Sequence, residues 1–101
     1  MTGTNFLKEI IMAVDKELLV FTAPWCAPCK MYYPIIEKFC ALGDDIIGKL
    51  DVRIIDVSKN PASAEEHKIT SVPVTIYLVD DIEKQREFGL MSKEQLLDMI
   101  K

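Results

Sequence analysis

There is no second Cys-x-x-Cys in this chain to match the one formed by Cys26 and Cys29, and the third cysteine, Cys40, stands alone. Three thiols cannot all pair within one molecule, which argues against a disulfide-stapled scaffold. Histidine is almost missing too: His67 is the single one, and it has no paired ligand near it in sequence. A structural zinc site normally needs four ligands, so no metal site is read here. A basic excess is also lacking. The formal charge is −4, which leaves no electrostatic footprint for nucleic acid. No apolar run approaches the roughly 20 residues that span a bilayer, so no membrane association is expected. The start, Met1-Thr2-Gly3-Thr4-Asn5, has no basic stretch leading into an apolar core, so a reducing cytoplasm is the expected compartment. Repeats, low-complexity tracts and linkers are absent from the 101 residues, and one domain over 1–101 follows. Half the residues are hydrophobic, enough for a folded core.

What is present alternates helix and strand. Phe6, Leu7, Ile10, Ile11 and Val14 recur at helical spacing behind Thr4 or Asn5 as N-cap. Leu18-Leu19-Val20-Phe21 is a short apolar run bounded by charge and by Pro24, and it reads as a strand buried on both faces. From Cys26 to about Leu42 the pattern is helical. Tyr33, Ile36 and Cys40 form its inward stripe, Tyr32, Ile35 and Phe39 border it, Pro34 kinks it, and Gly43 stops it. A second strand runs from Leu50 to Val57. Asn60-Pro61 opens a short helix to about Lys68. Val74 to Val79 is a third strand, Asp80-Asp81 a turn, and the charged stretch to Phe88 an exposed edge strand. Ser92 and Gln95 make a capping box for a last helix carrying Leu96, Leu97 and Ile100. The fold class is α/β: a mixed four-stranded sheet with helices on both faces, its first two strands parallel across a right-handed crossover and its last two a hairpin.

The chemistry is expected at Trp25-Cys26-Ala27-Pro28-Cys29, which follows the first strand and opens the long helix. Two thiols so spaced at a helix start can reach one another. Unpaired N–H groups and the helix dipole favour the thiolate of Cys26, so Cys26 is read as the nucleophile and faces solvent. Cys29, one turn inward and more shielded, is read as the resolving thiol. Pro28 fixes the backbone at the helix start. Trp25 covers the thiols and offers an apolar contact to a substrate polypeptide. Half of a zinc site, or a pair of inert thiols, is the alternative at this stage.

This segment, running on through Lys30-Met31 to Pro34, resembles the active site of the thioredoxin family. Val72-Pro73 before a strand resembles the family's cis-proline loop, and Phe88-Gly89-Leu90 followed by Ser92-Lys93-Glu94-Gln95-Leu96 resembles its last turn and terminal helix. Asp56 to Pro61 is similar to the stretch after its central strand. The resemblance covers roughly Asn5 to Lys101. It implies a thioredoxin-like fold and a monomer that reduces protein disulfides through a reversible Cys26–Cys29 disulfide with no bound cofactor. It also implies a flavoprotein reductase, drawing on NADPH, as the electron donor. By the same resemblance Pro73 is cis and faces the thiols, Val72 pairs through its backbone with substrate, and Gly89 allows close approach beside that surface.

Three departures stand against the family pattern. Ala27 replaces a glycine between the thiols while keeping a small residue against the substrate. Val20 replaces a buried aspartate that assists proton transfer at the inner thiol, and Val52 replaces the lysine that pairs with it. The amino terminus is short, so the core approaches that of glutaredoxin. A glutathione-dependent glutaredoxin-like enzyme and a non-catalytic protein-binding module are therefore the alternative functions. Cys40 is read as a buried hydrophobe, His67 as a surface residue, Asp56 as a turn cap, and the hairpin charges as a solvated edge.

Overall fold

Residues 15–101 are described by the computed structural model; the helix expected from Phe6 to about Val14 lies outside them. Strand β1 (Lys16–Thr22) forms where the apolar run was found, and Leu18 to Phe21 are 0–5% exposed. A strand with no polar face must be covered on both sides, and β1 is central in a sheet ordered β2-β1-β3-β4. Strand β2 (Leu50–Asp56) lies parallel to it, Leu18 opposite Val52 and Val20 opposite Ile54. Strand β3 (Val74–Val79) is antiparallel, with Val20 opposite Thr75. Strand β4 (Ile82–Phe88) completes the hairpin at an exposed edge. Asp80 and Asp81 turn the chain with φ of 52° and 66°, the left-handed pair that a two-residue hairpin loop requires.

Helix α1 (Ala27–Cys40) is the crossover between β1 and β2 and continues through Pro34. A short helix not expected from the sequence, α2 (Asp44–Ile47), follows it. Gly43, at φ +81°, is the N-cap of α2, whereas α1 is capped by Ala41. Helices α3 (Pro61–Glu66) and α4 (Lys93–Met99) complete the described elements. Ser92 and Gln95 exchange hydrogen bonds of 2.8 and 3.1 Å in the expected capping box. Asn60 is the N-cap of α3 without a side-chain cap bond.

Period-two alternation divides the sheet into two faces. Leu18, Val20 and Tyr77 meet α1 and α4 through Tyr32, Ile36, Phe39, Leu96 and Met99. Leu19, Phe21, Val74, Ile76 and Leu78 form the core of the other face with Ile69 and Val72. There the α3 cap residue His67 sets its ring 5.4 Å from Phe21, so it is half-buried rather than on the open surface. The inward stripe of α1 is corrected by one residue: Cys29, Tyr32, Ile36 and Phe39 are buried, while Tyr33 and Cys40 are exposed. Both phases share Ile36. The observed one places Cys29 over the sheet and gives the Tyr32 hydroxyl a buried partner, Thr75 Oγ1, at 2.6 Å.

Candidate active site

The site lies where β1 ends and α1 begins. Ala23 closes the strand, and the Cys26 N–H donates to its carbonyl at 3.2 Å. Cys26 has extended backbone angles (φ −92°, ψ 106°) and is the N-cap of α1, with Pro28 inside the first turn. Its Sγ accepts from the Cys29 N–H at 3.1 Å, the bond a serine or aspartate makes at other helix starts. No acidic residue lies in that first turn. A negative sulfur here meets a donor and the positive end of the helix, with nothing nearby of like sign on the same turn.

Cys26 and Cys29 are joined as a disulfide, their Cα atoms 5.2 Å apart. The two sulfurs are not equivalent. Cys29 has no exposed surface and packs against Ala23, Cys26, Val57 and Val72, whereas Cys26 keeps 7% of its surface open. Cys26 is thus less open than expected, yet it is the one an incoming molecule can reach. Trp25 is not a cover over the thiols: it is 71% exposed and stands at the rim. Ala27 and Pro28 are exposed beside it.

The Val72–Pro73 peptide is cis, and Pro73 is buried. The Val72 carbonyl oxygen lies 3.7 Å from Cys26 Sγ. Gly89, at φ +87°, donates its N–H to the Pro73 carbonyl at 2.9 Å. A β-carbon on Gly89 would meet nothing within 4 Å. The glycine is therefore required by its backbone angle, and the surface beside it is open. Between Trp25 and this loop runs a groove of 460 Å³ lined by Val57, Pro61, Ala64, Ile69, Thr70, Ser71 and Val72. Of these only Val72 was singled out from sequence.

Val20, expected at the place of a buried carboxylate, has no exposed surface and sits mid-sheet between Ile54 and Thr75. The nearest register partner with a polar side chain, Thr75, is already bonded to Tyr32. Burial pushes the Tyr32 phenol above its ordinary range, and the Thr75 bond offsets only part of this. Asp56 serves as the expected turn cap: its carboxylate accepts from the Ser58 hydroxyl at 2.6 Å and the Ser58 N–H at 2.8 Å, and those bonds hold its pKa low. Arg86 departs from the solvated edge expected of β4. Its guanidinium donates at 2.8 Å to the His67 carbonyl and is gripped by Glu83.

A sheet ordered β2-β1-β3-β4, a disulfide at the N-terminus of its crossover helix and a cis proline opposite together define a dithiol redox protein. The thioredoxin family model matches residues 1–101. A thioredoxin of Rickettsia felis is 33% identical over 99 residues, covering 98% of this chain and 91% of the relative. A thioredoxin of Staphylococcus aureus is 34% identical, covering 98% and 90%. Among solved structures, a thioredoxin variant of Halobacterium salinarum is similar with a TM-score of 0.75 and 29% identity, covering 99% of this chain and 84% of that one. Thioredoxin-2 of a malaria parasite shares the fold, with a TM-score of 0.78 at 23% identity over 86% and 82% of the chains. The chain belongs to the thioredoxin family, and it is a thiol-disulfide oxidoreductase. Among the described residues no helix is long and apolar enough to cross a membrane.

Proposed function

We propose that the protein reduces disulfides of other proteins in a reducing, cytoplasmic setting. The observation that carries this reading is the unequal burial of two bonded sulfurs, with Cys26 keeping a small exposed surface between Trp25 and Val72 of the groove and Cys29 fully closed behind it. In the reduced protein the Cys26 thiolate attacks one sulfur of a substrate disulfide. A mixed disulfide forms, and the other substrate sulfur leaves as a thiolate that takes up a proton. Cys29 then loses its proton and attacks Cys26 Sγ, which restores the Cys26–Cys29 bond and releases the second substrate thiol. Two electrons pass to the substrate, and a flavoprotein reductase of the thioredoxin-reductase kind, drawing on NADPH, returns them.

Support for the substrate side comes from geometry. The Val72 carbonyl borders Cys26 at 3.7 Å and accepts from an extended chain, while cis Pro73 shapes the loop that presents it. Trp25, Ala27 and Pro28 on one side and Gly89 on the other frame the place where that chain lies. The protein acts as a monomer.

The direct test is trapping. With Cys29→Ser, a protein disulfide should accumulate as a one-to-one covalent adduct on Cys26 that dithiothreitol releases. Cys26→Ser should form no adduct and lose turnover. Adduct formation on Cys29 instead, or none with either variant, contradicts the assignment. Turnover driven by glutathione but not by a flavoprotein reductase would shift the reading to a glutaredoxin-like cycle.

A further inference from the structure

The segment between α3 and Pro73 is the wall of the groove opposite Trp25, and it is tied to the edge hairpin at both ends. At its far end the Gly89 N–H, just past β4, donates to the Pro73 carbonyl at 2.9 Å. At its near end Arg86 Nη2, from β4 itself, donates to the His67 carbonyl at 2.8 Å. His67 is the C-cap of α3, where carbonyls are left without helical partners and a cation is favourable. Lys68 then turns the chain at φ +55°, and Ile69 and Val72 pack down against the sheet.

Arg86 is not free to choose another geometry. Glu83 takes its Nε at 2.9 Å and its Nη2 at 2.8 Å, a two-point grip that fixes the plane of the guanidinium. The side chain is only 21% exposed, although its strand is the edge of the sheet. A charged residue on an edge strand has no need of such an arrangement to remain soluble. What the arrangement does is hold a loop whose five residues, Lys68 to Val72, run straight to the carbonyl beside Cys26.

We propose that Arg86, oriented by Glu83, is a positioning residue that sets the groove for polypeptide disulfides. Arg86 touches neither thiol. It acts through the His67 carbonyl on the placing of Thr70, Ser71 and Val72. The inference rests on the preceding reading that a substrate chain lies along Val72. Small disulfides reach Cys26 without using the groove, so loss of the clamp separates the two substrate classes.

The test compares KM and kcat for an insulin-type protein disulfide and for a small aromatic disulfide, with NADPH and a flavoprotein reductase of the thioredoxin-reductase kind as electron source, in wild type, Arg86→Met, Arg86→Lys and Glu83→Gln. Arg86→Met keeps the apolar stem and should raise KM for the protein disulfide roughly threefold to tenfold, less than the full effect of one lost charge-assisted bond because the Gly89 N–H still holds the far end of the loop. Its rate with the small disulfide should stay within about twofold, because the thiol helix is untouched. Arg86→Lys should recover part of the KM, and Glu83→Gln should shift it the same way by less. Both substrates slowing together in step with lost thermal stability would make Arg86 merely structural, and an unchanged KM for the protein disulfide in folded Arg86→Met, or in both Arg86→Lys and Glu83→Gln, would overturn the proposal. If Arg86→Met does not fold, the lysine and glutamine variants decide. A wild type that reduces neither substrate would refute the proposed function itself.

Discussion

Two residue-scale facts shape the chemistry: a cysteine acts as a helix cap, and a hydroxyl pair occupies a core in which, among the described residues, no carboxylate is buried. Tyr32 and Thr75 bond at 2.6 Å between α1 and β3, with Tyr32 three residues beyond Cys29 on α1 and Thr75 two residues beyond Pro73, near the start of β3. Tyr32→Phe leaves Thr75 Oγ1 buried without its partner and should cost about 1–2 kcal/mol in urea unfolding. Thr75→Val should cost a similar amount, and the double variant less than the sum, because it leaves no orphan. The sign with pH follows from burial. Tyr32 has a raised folded-state pKa, so its contribution is full below the ordinary phenol range and is lost as pH rises through that range toward the folded value. Buried Tyr77 shifts the same way. Unfolding measured from about pH 8 to about pH 11 should therefore show an alkaline fall that is shallower in Tyr32→Phe; an equal fall would assign it to other groups.

At the scale of elements, what was legible in the sequence was what is local. Leu18 to Phe21, the capping box of Ser92 and Gln95, and the turn at Asp80-Asp81 each carry their reason in a few adjacent residues, and each was found where expected. The helix phase was not local. Ile36 belongs to both candidate stripes, and the choice between Tyr32 and Tyr33 depended on Thr75, 43 residues away. Arg86 failed for the same reason: the pattern Glu83, Lys84, Arg86, Glu87 describes an edge but not a carbonyl at the end of another element. The turn offers its own test. Asp81 holds φ +66° and shares a patch with Asp15 and Glu17, whose carboxylate oxygens all lie within 4.8 Å of one another. Asp81→Gly removes both the left-handed strain and one repelling charge, and thermal unfolding should show a gain of about 0.5–1 kcal/mol, while a loss would mean that the carboxylate is held by an attractive partner. Ser92→Ala, by contrast, removes a cap from α4 and should cost about 1 kcal/mol in the same measurement.

Across the whole molecule, topology converts distant sequence into one site. Because β1 lies between β2 and β3, the end of β1 that delivers Cys26 stands beside the start of β3, just after Val72, which is 46 residues further along the chain than Cys26. The alternating order of helices and strands was enough to give the four-stranded sheet, the motif was enough to give the two sulfurs, and the resemblance to the thioredoxin family supplied the cis proline. The groove was not legible, since Val57, Pro61, Ala64 and Ile69 come together only when α3 folds over the sheet. The proposed role of this assembled site is to hand electrons outward to protein disulfides. Equilibrating the Cys26–Cys29 couple against thiol buffers of defined potential tests that most directly. A reversible couple near about −270 mV is the predicted result, and a value near about −120 mV would make the protein an oxidant and contradict it.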